Sequence, residues 1–432
     1  MSTILLAALL AASTTADTFP AYCGRAGSGV EELRAPDGPA ILRSVQVVAR
    51  HGARAPVADC GRWLPRAAGA AWTCPGEALE GVAPGSTYRL RSGAQEDDMC
   101  GPGELLEEGF AQHRALGHAL RAAYREPGTV ETLPVDGISL RSSDLPRTRR
   151  SAEALADAFA PSDKLRDLHA PTFATDWIYP NSNECPALSD LEKAAFGAPA
   201  FMRRNASALG ALAARLEPAL GTTVDFGIDG MAGGHLLDCA MAAACSKRAF
   251  ALPRDDVDAL VAAMEQREAS KLTLRYARTV TAPLVAALRD QLANATGLSV
   301  FLAHDTTLMP LLVALTTDYD GRWAPYAAAV VLEAWTLPDG SDAIRVAYDG
   351  SYRTLAGCPD QLCPLHDFLA ATAWVRDRDC AVDPRAGTLR IDAAAGAGAK
   401  LLITAFLAGA AVALLATRGL LYVDWRLGRA PR

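Results

Sequence analysis

The chain has 432 residues, half of them apolar, and a formal net charge of −7 at pH 7. A chain of this length and apolar content can bury a large core, and its acidic balance excludes nucleic-acid binding through overall charge. We therefore expect a folded protein without a nucleic-acid partner, in which a cluster of basic residues marks a local site.

The first residues are typical of a secretory leader. Residues 1–16, MSTILLAALLAASTTA, join an apolar run to small residues near Ala16, which predicts a cleaved signal peptide. Their start has no Lys or Arg, and an uncleaved buried helix is the alternative. Ten cysteines agree with export, since an even number is readily used for disulfides in an oxidising compartment. The sequons at Asn205 and Asn294 are compatible with it.

The body, predicted to span residues 17–392, alternates strand and helix patterns. Three short apolar runs rich in branched residues predict buried strands: ILRSVQVVA (41–49), DGISLRSS (136–143) and LSVFLA (298–303). Helical patterns occupy 103–124 and 306–315, the second with Thr306 at the N-cap position. Strands that alternate with helices favour an α/β sandwich whose ligand site lies at the carboxyl ends of the strands.

Two further segments complete the predicted body. AAAVVLEAWTLPDGSDAIRVAYDG (327–350) predicts a hairpin, because the Pro-Asp-Gly at 338–340 supplies turn chemistry between alternating strands. Residues 185–275 are Ala-rich and mostly helical in pattern, which predicts an inserted helical cap over the sheet. Two smaller domains are the alternative to one large α/β domain that carries this cap.

The C-terminus has the pattern of a membrane anchor. The uncharged stretch LLITAFLAGAAVALLAT would span about 26 Å as a helix, and a snorkelling Arg418 extends the predicted transmembrane helix to 401–423. A Gly/Ala spacer, 393–400, precedes it. Arginines outnumber acids in the short tail, 424–432, which places that tail in the cytosol and predicts a single-pass type I protein. A core helix is the alternative.

The predicted strands at 41–49 and 298–303 are each followed by polar residues. The first leads into RHGARAP and the second into HDTT. At one sheet edge they would bring together Arg50, His51, Arg54, His304 and Asp305. Guanidinium groups match phosphate oxygens and an imidazole can attack phosphorus, so this set suits phosphoryl transfer through a phosphohistidine. A third arginine is available in RSSDLPRTRRSAEAL, after the strand at 136–143.

These stretches resemble a known family. RHGARAP is similar to the R-H-G-x-R-x-P signature of the histidine acid phosphatases, branch 2 of the histidine phosphatase superfamily, and AHDTTL is similar to their second, H-D motif. The similarity continues through GELLEEGFAQHRALGHALR, RSSDLPRTRRSAEAL, CPAL, WAPYAAAVVLEAW and CPLHDFL, and is least clear over 190–290. The resemblance implies a phosphoglycerate-mutase-like α/β sandwich with a helical cap.

The resemblance also implies roles for individual residues. His51 would be the nucleophile and Asp305 the proton donor. Four residues would hold the phosphate: Arg50, Arg54, Arg147 and His304. Arg147 is preferred to the other arginines of its stretch because it stands at the family's R-T step. A neutral imidazole is nucleophilic at mildly acidic pH, and a carboxyl that must donate a proton favours an acidic optimum.

No metal or cofactor is expected. Three arginines can neutralise the transferring phosphoryl group without a metal, and no cysteine spacing matches a zinc site. The family resemblance implies disulfides Cys185–Cys380 and Cys358–Cys363, and it gives no partner for the cysteines at 23, 60, 74 and 100.

Several other polar residues are expected to be structural. A lone histidine at a strand end or on a helix is most often a satisfied surface or core residue, and His113 belongs to this class. Glu333 is expected to have a structural role in its strand, and Arg149 and Arg150 to lie on a solvated helix face.

The favoured function is that of a membrane-anchored acid phosphatase, similar to the lysosomal-type members of the family. It would act on small-molecule or sugar phosphomonoesters in the secretory-pathway lumen, the lysosome or vacuole, or at the cell surface. Three alternatives remain: a 2-phosphoxylose phosphatase-like enzyme, a phosphoglycerate-mutase-type transferase, and a non-catalytic receptor-like ectodomain. The first is suggested by MCGPGELLEEGFAQH and by the closely spaced cysteine pair at 239 and 245. Phytases share both motifs. The oligomeric state is left open, a dimer included.

Overall fold

The computed structural model describes residues 22–24, 29–30, 33–36, 38–57, 60, 72, 74, 100–125, 133, 138–161, 168–226, 231–246, 250–294 and 297–381. The predicted signal peptide, spacer, transmembrane helix and cytosolic tail lie outside these residues, as do the side chains of Asn205 and Asn294. Among the helices in the described part of the chain, none combines the length and apolar character needed to cross a bilayer.

The centre of the fold is a mixed eight-stranded sheet built from the described residues. Its strands are β1 (Ile41–Arg50), β2 (Ile138–Ser142), β3 (Leu168–His169), β4 (Gly297–Ala303), β5 (Ala329–Thr336), β6 (Asp342–Tyr348), β7 (Ser351–Arg353) and β8 (Cys363–Pro364). The order is β3-β2-β4-β1-β5-β6-β7, and β8 pairs with β6. β1 to β4 are mutually parallel where they pair, whereas β5 to β8 add antiparallel pairs.

Nine α-helices occur in the described ranges. They are α1 (Glu107–Arg125), α2 (Pro146–Phe159), α3 (Ala187–Phe196), α4 (Pro199–Leu220), α5 (Met231–Cys245), α6 (Arg254–Lys271), α7 (Leu274–Asn294), α8 (Asp305–Leu315) and α9 (Leu365–Ala371). Short 3₁₀ helices lie at Phe173–Thr175, between α2 and α3, and at Ala373–Asp377, after α9. The predicted mixed α/β class is confirmed.

The sheet is covered on both faces because side chains along β1 alternate between two apolar cores. Val45 and Val47 face the core formed with α1 and α2, where Leu120 and Phe159 are fully buried. Val48 faces the opposite core, formed with α7 and α8. This three-layer packing fixes the register of β1 between β4 and β5 and so fixes where the loop after β1 begins.

The segment predicted as a cap is helical and has its own apolar core. Helices α4, α5 and α6 contribute Leu216, Leu236 and Leu260, which are almost completely buried in a cluster separate from the two sheet faces. Tyr22 and Trp323, from outside the segment, pack against this cluster. The helical segment therefore contacts the part of the chain that lies near the predicted site.

All ten cysteines are paired in disulfides. The two pairs implied by the family resemblance, Cys185–Cys380 and Cys358–Cys363, are confirmed. The other pairs are Cys23–Cys245, Cys60–Cys239 and Cys74–Cys100. Two of these join α5 to residues on either side of RHGARAP. Five disulfides fit an oxidising compartment.

The boundaries of the predicted elements are mostly close to those observed. The hairpin at 327–350 is confirmed as β5 and β6, closed by a turn in which the Leu337 N–H donates to the Ser341 carbonyl over 2.8 Å. Two helix starts were wrong: α1 begins at Glu107 and not at residue 103, and α8 begins at Asp305. Thr306 is therefore not the N-cap, because His304 occupies that position and leaves Asp305 in the first turn, where the helix dipole favours a carboxylate.

Candidate active site

The predicted site lies where β1 and β4 end side by side. Arg50 is opposite Ala303 in the parallel register, and the N–H of His51 donates to the Ala303 carbonyl over 3.0 Å. The His51 carbonyl in turn accepts the N–H of Ala327, over 3.1 Å. Both strand ends are therefore held by backbone bonds, and the rings of His51 and His304 lie 5.4 Å apart between centroids.

A glycine lets α1 approach the loop after β1. A Cβ at Gly52 would collide with the carbonyl of Gly109, and a Cβ at Gly109 would collide with the carbonyl of Ala53. Only glycine fits at either position without moving backbone. His113, one turn further along α1, reaches the Arg50 carbonyl through Nε2 at 3.0 Å. This histidine is buried and supports the loop from behind, as its expected structural role requires.

The His51 ring has a defined tautomer. Its Nδ1 lies 2.8 Å from the Gly52 carbonyl, which can only accept, so Nδ1 carries the proton and Nε2 keeps a free lone pair. The ring is buried, and this burial, followed by the positive charges of Arg147 and Arg50, lowers the pKa of His51 well below its usual value. The imidazole therefore stays neutral, and nucleophilic, in mildly acidic solution.

Three arginines surround the histidine pair. Arg50 donates from Nη1 to the Ala324 carbonyl over 2.7 Å, and its guanidinium lies 4.2 Å from the Tyr326 ring centroid. Arg54 pairs through Nη1 with Asp238, also over 2.7 Å. The pKa of Arg147 is lowered to about 10, first by burial and then by the neighbouring charge of Arg54.

The arginines retain buried donors with no acceptor. Among the described residues, no partner contacts the Nε atoms of Arg50, Arg54 and Arg147, although all three atoms are buried. In the described part of the chain, the Nε atoms of Arg141 and Arg149 are likewise buried without a partner, so what sets the three site arginines apart is that their charges converge on His51. An anion with several oxygens, such as a phosphate, would balance these charges.

A short hydrogen-bond chain orients His304. Its Nε2 lies 2.9 Å from the Ser143 hydroxyl, which lies 2.7 Å from the Thr148 hydroxyl. The Thr148 hydroxyl donates to the Leu145 carbonyl over 2.7 Å, so the Ser143 hydroxyl donates to Thr148 and accepts from His304. His304 Nε2 is therefore the protonated nitrogen. Burial, followed by the charge of Arg147, lowers the pKa of His304 well below its usual value.

Asp305 is ionised when no ligand is bound. Its Oδ2 contacts Arg50 Nη2 at 2.9 Å and accepts the indole N–H of Trp323 at 2.8 Å, and its Oδ1 accepts the backbone N–H of Thr306 at 2.8 Å. Burial raises the pKa of Asp305, but the Arg50 charge and then the Trp323 hydrogen bond outweigh burial and hold this pKa at about 2. A proton must therefore reach this carboxylate together with a ligand if it is to act as an acid.

The structure brings together all six predicted site residues and separates them from the other arginines nearby. Arg141 forms a buried ion pair with Asp176, over 2.7 Å. Arg149 and Arg150 are half-buried, which corrects the expectation of a solvated face; α2 packs against α1 along much of its length, so little of its surface is free.

Several residues of the site could not be identified from the sequence. Asp238, on α5, accepts both Arg54 and the backbone N–H of Val57. Tyr22 lies 3.1 Å from Arg50 Nη2 through its hydroxyl, and Trp323 contacts Asp305. The available signals were indirect: Tyr22 and Asp238 each precede a cysteine, and Trp323 lies just before the APY of the stretch similar to the family.

Comparisons with known proteins agree with this geometry. Residues 41–190 match the model of the histidine phosphatase superfamily, branch 2. Lysophosphatidic acid phosphatase type 6 of Mus musculus is 26% identical over 82% of this chain and 91% of its own length. Lysosomal acid phosphatase of Homo sapiens is 28% identical over 69% of this chain and 76% of its own.

Solved structures share the fold. The apo form of Hafnia alvei phytase superposes with a TM-score of 0.56 at 16% identity, and covers 82% of this chain and all of that one. The phytase of Citrobacter braakii gives 0.54, also at 16% identity, over 79% of this chain and all of that one. The family model matches residues 41–190 and the similarity to the relatives extends beyond them, so this chain is similar to branch 2 of the histidine phosphatase superfamily over much of its length.

Proposed function

We propose that this protein is an acid phosphatase that hydrolyses phosphate monoesters through a covalent phosphohistidine on His51. The observation that carries the proposal is the neutral His51 ring, whose Nδ1 is held by the Gly52 carbonyl and whose free Nε2 lies among the positive charges of Arg50, Arg54 and Arg147. A neutral nucleophile beside several fixed positive charges is the arrangement that phosphoryl transfer requires.

In the first half-reaction, His51 Nε2 attacks phosphorus and the bond from phosphorus to the ester oxygen breaks. Arg50, Arg54 and Arg147 hold the phosphoryl oxygens, and their positive charge and N–H groups stabilise the transition state. His304, whose Nε2 proton is donated to Ser143, joins them when the negative phosphate favours protonation of its Nδ1 as well. Asp305 gives a proton to the leaving oxygen. Since this carboxylate is ionised in the free enzyme, a substrate monoanion supplies the proton; a phosphate monoester loses that proton near pH 6, which sets an acidic optimum.

In the second half-reaction, water attacks the phosphohistidine. Asp305, now a carboxylate, accepts a proton from this water, and the bond from His51 Nε2 to phosphorus breaks. The proton on Asp305 passes to the departing phosphate. His51 Nε2 keeps the electron pair of the broken bond, so the ring is neutral again with its proton on Nδ1.

The test of this proposal is to trap the intermediate. Rapid quenching with labelled substrate should give an acid-labile, base-stable adduct in the wild type. His51→Ala should abolish both labelling and turnover, whereas His118→Ala, at an exposed histidine of α1, should keep both. Labelling that persists in His51→Ala would overturn the assignment of the nucleophile.

The role of Asp305 has its own test. Asp305→Asn should slow phosphohistidine formation by about 10² to 10⁴ with alkyl or sugar phosphates, whose leaving groups need a proton, and much less with p-nitrophenyl phosphate. Arg54→Ala should slow both substrates to a similar extent, because it acts on the phosphoryl group whatever departs. Equal losses for Asp305→Asn would mean that another residue supplies the proton.

The leaving group that the site accepts is a further proposal. Val57 is 45% exposed beside the loop that carries Arg54, and a Cβ on the neighbouring Gly103 would lie near both Val57 and Arg147 Nη1. An apolar side chain beside a phosphate-binding arginine supports an amphipathic monoester, as in the name of the lysophosphatidic acid phosphatase relatives. A substrate panel with lysophosphatidic acid, aryl and sugar phosphates, phosphoxylosides and phytate tests the preference for an amphipathic monoester against the 2-phosphoxylose phosphatase and phytase alternatives. If no substrate is turned over, the receptor-like alternative is favoured.

We propose a secretory or lysosomal location with a type I anchor at 401–423 and a cap formed by α3–α6. Five disulfides and a relative named lysosomal acid phosphatase support the compartment, and the contact from Asp238 to Arg54 supports a cap that reaches the site. Ending the chain at Gly398 should release active enzyme into the medium. A truncated chain that stays cell-bound or misfolds would assign the stretch to the core.

A further inference from the structure

Trp323 makes a polar contact for which the mechanism above has no use. Its indole N–H lies 2.8 Å from Asp305 Oδ2, while its ring packs edge-on against Tyr22 with centroids 6.2 Å apart. An indole N–H can donate but never accept. Trp323 therefore stabilises Asp305 as a carboxylate and offers nothing comparable to the protonated acid.

The backbone of the Trp323 loop is held from two sides. The Trp323 N–H donates to Glu265 Oε1 on α6 over 3.1 Å, and the next carbonyl, that of Ala324, accepts Arg50 Nη1 over 2.7 Å. The indole is thus fixed between the helical segment and β1, and it is not free to turn away when a ligand enters. A restrained donor keeps its full effect on the acceptor.

Other groups face Asp305, and they differ from Trp323 in their response to a phosphate. The charged or titratable ones are Arg50 from β1, His304 beside it, Arg147 from α2, Tyr22 from the N-terminal segment and Tyr319 after α8. The negative charge of a bound phosphate offsets the positive charges of Arg50 and Arg147, so these arginines then lower the pKa of Asp305 less. The neutral indole has no such attraction to the anion, so its hydrogen bond remains.

We propose that Trp323 is a positioning residue that keeps Asp305 weakly basic in the substrate complex, and so sets the highest pH at which Asp305 can donate a proton. The inference rests on the proposed function, in which Asp305 is the general acid. The effect on Asp305 itself does not depend on that role: a fixed neutral donor lowers the proton affinity of this carboxyl even when the arginine charges are balanced by a bound phosphate.

The test removes the donor and keeps an aromatic ring. In Trp323→Phe, the rate of phosphohistidine formation from an alkyl phosphate in a single turnover should persist to higher pH. At saturating substrate the descending limb of its pH profile reports the proton held in the complex and not the proton loss of the free substrate. This limb should move up by about one unit, the shift that corresponds to the loss of one hydrogen bond to a charged group. With p-nitrophenyl phosphate, the limb should stay in place because that leaving group needs no proton.

A matched control is available in the fold. Trp374 packs over Arg278, and its indole N–H has no acceptor among the described residues. Trp374→Phe should leave both profiles unchanged. Trp323→Leu, which also lacks the N–H, gives the same test if the phenylalanine variant does not fold. An equal shift with both substrates overturns the inference, and so does an unmoved limb with the alkyl phosphate when the pKa of Asp305 is unchanged as well.

A second measurement separates this inference from the proposed function. The pKa of Asp305 can be followed by carboxyl-carbon NMR in sulfate-bound protein labelled at aspartate, with Asp305→Asn to assign the signal. Trp323→Phe should raise this pKa even if Asp305→Asn proves that another group is the acid. If the pKa of Asp305 does not rise, the inference is overturned whatever the kinetics show. If this pKa rises but the limb with the alkyl phosphate does not move, the effect of Trp323 on Asp305 stands and the role of Asp305 as the acid is overturned.

Discussion

Two of the buried arginine–carboxylate pairs in the described part of the fold differ in how completely they are bonded. In the pair of Arg345 with Glu333, between β6 and β5, the carboxylate accepts Arg345 Nε and Nη2 at 3.0 and 2.7 Å, Trp335 Nε1 at 3.0 Å and the Tyr124 hydroxyl at 2.7 Å. In the pair of Arg50 with Asp305, the carboxylate is likewise bonded, but arginine donors around it have no acceptor.

The difference in bonding corresponds to a difference in role between the two pairs. Glu333 is saturated by neighbours that stay in place, so its pair can only hold strands and helices together, as expected for Glu333. The Arg50 pair belongs to a cluster of three arginines, with Arg54 and Arg147, whose carboxylate partners among the described residues are two, Asp305 and Asp238. A bound anion would balance the third positive charge. A buried pair whose charges balance therefore indicates a structural role, and a cluster with excess positive charge indicates an anion site.

Breaking the saturated pair should have the largest effect, and on stability. Arg345→Met leaves Glu333 buried without its cation, which should cost about 3–5 kcal/mol of unfolding free energy. The folded fraction should keep a near-normal kcat/KM. Urea unfolding measures the loss, and the double variant Arg345→Met, Glu333→Met should regain much of it. A single variant as stable as the wild type would mean that the pair is not a structural unit.

Breaking the cluster with excess positive charge should reverse the pattern. Arg147→Met should lower kcat/KM by about 10²–10³, the usual loss for one transition-state donor. Its thermal midpoint should not fall and is expected to rise, because a guanidinium whose pKa is lowered to about 10 is destabilised by burial and by Arg54 at every lower pH. Arg149→Met, two residues along α2, is the control for both measurements. Near-normal activity in Arg147→Met would remove this arginine from the site.

A smaller effect should follow from loosening the hydrogen-bond chain behind His304. Ser143→Ala removes the acceptor of the Nε2 proton without touching a charge, so the tautomer of His304 is no longer fixed. We expect kcat/KM to fall about tenfold, close to the worth of one neutral hydrogen bond, with stability changed little. Nitrogen NMR of the histidine rings reports the tautomer directly. A wild-type tautomer with full activity would mean that other contacts orient the ring.

The sequence predicted which site residues follow the strands and that they lie at one edge of the sheet. Branched residues predicted β1 and β4, and parallel pairing then forces His51 and His304 to the same edge. It did not suffice for Asp238 or Trp323, because each reaches the site through tertiary packing of a segment far along the chain. The partners of Cys23 and Cys60 were equally hidden, since spacing alone does not determine disulfide connectivity.

The disulfides of α5 also bear on how the enzyme is made. Cys23–Cys245 and Cys60–Cys239 join residues 222 and 179 positions apart, and the segment that carries His51 lies between Cys23 and Cys60. During synthesis, neither bond can form until α5 has emerged from the ribosome, and β4 with His304 follows later still. Contacts this distant in sequence form slowly. The segment that carries His51 is therefore synthesised long before its partners, and the candidate site is complete only when translation is more than two-thirds finished and an oxidant has closed the disulfides.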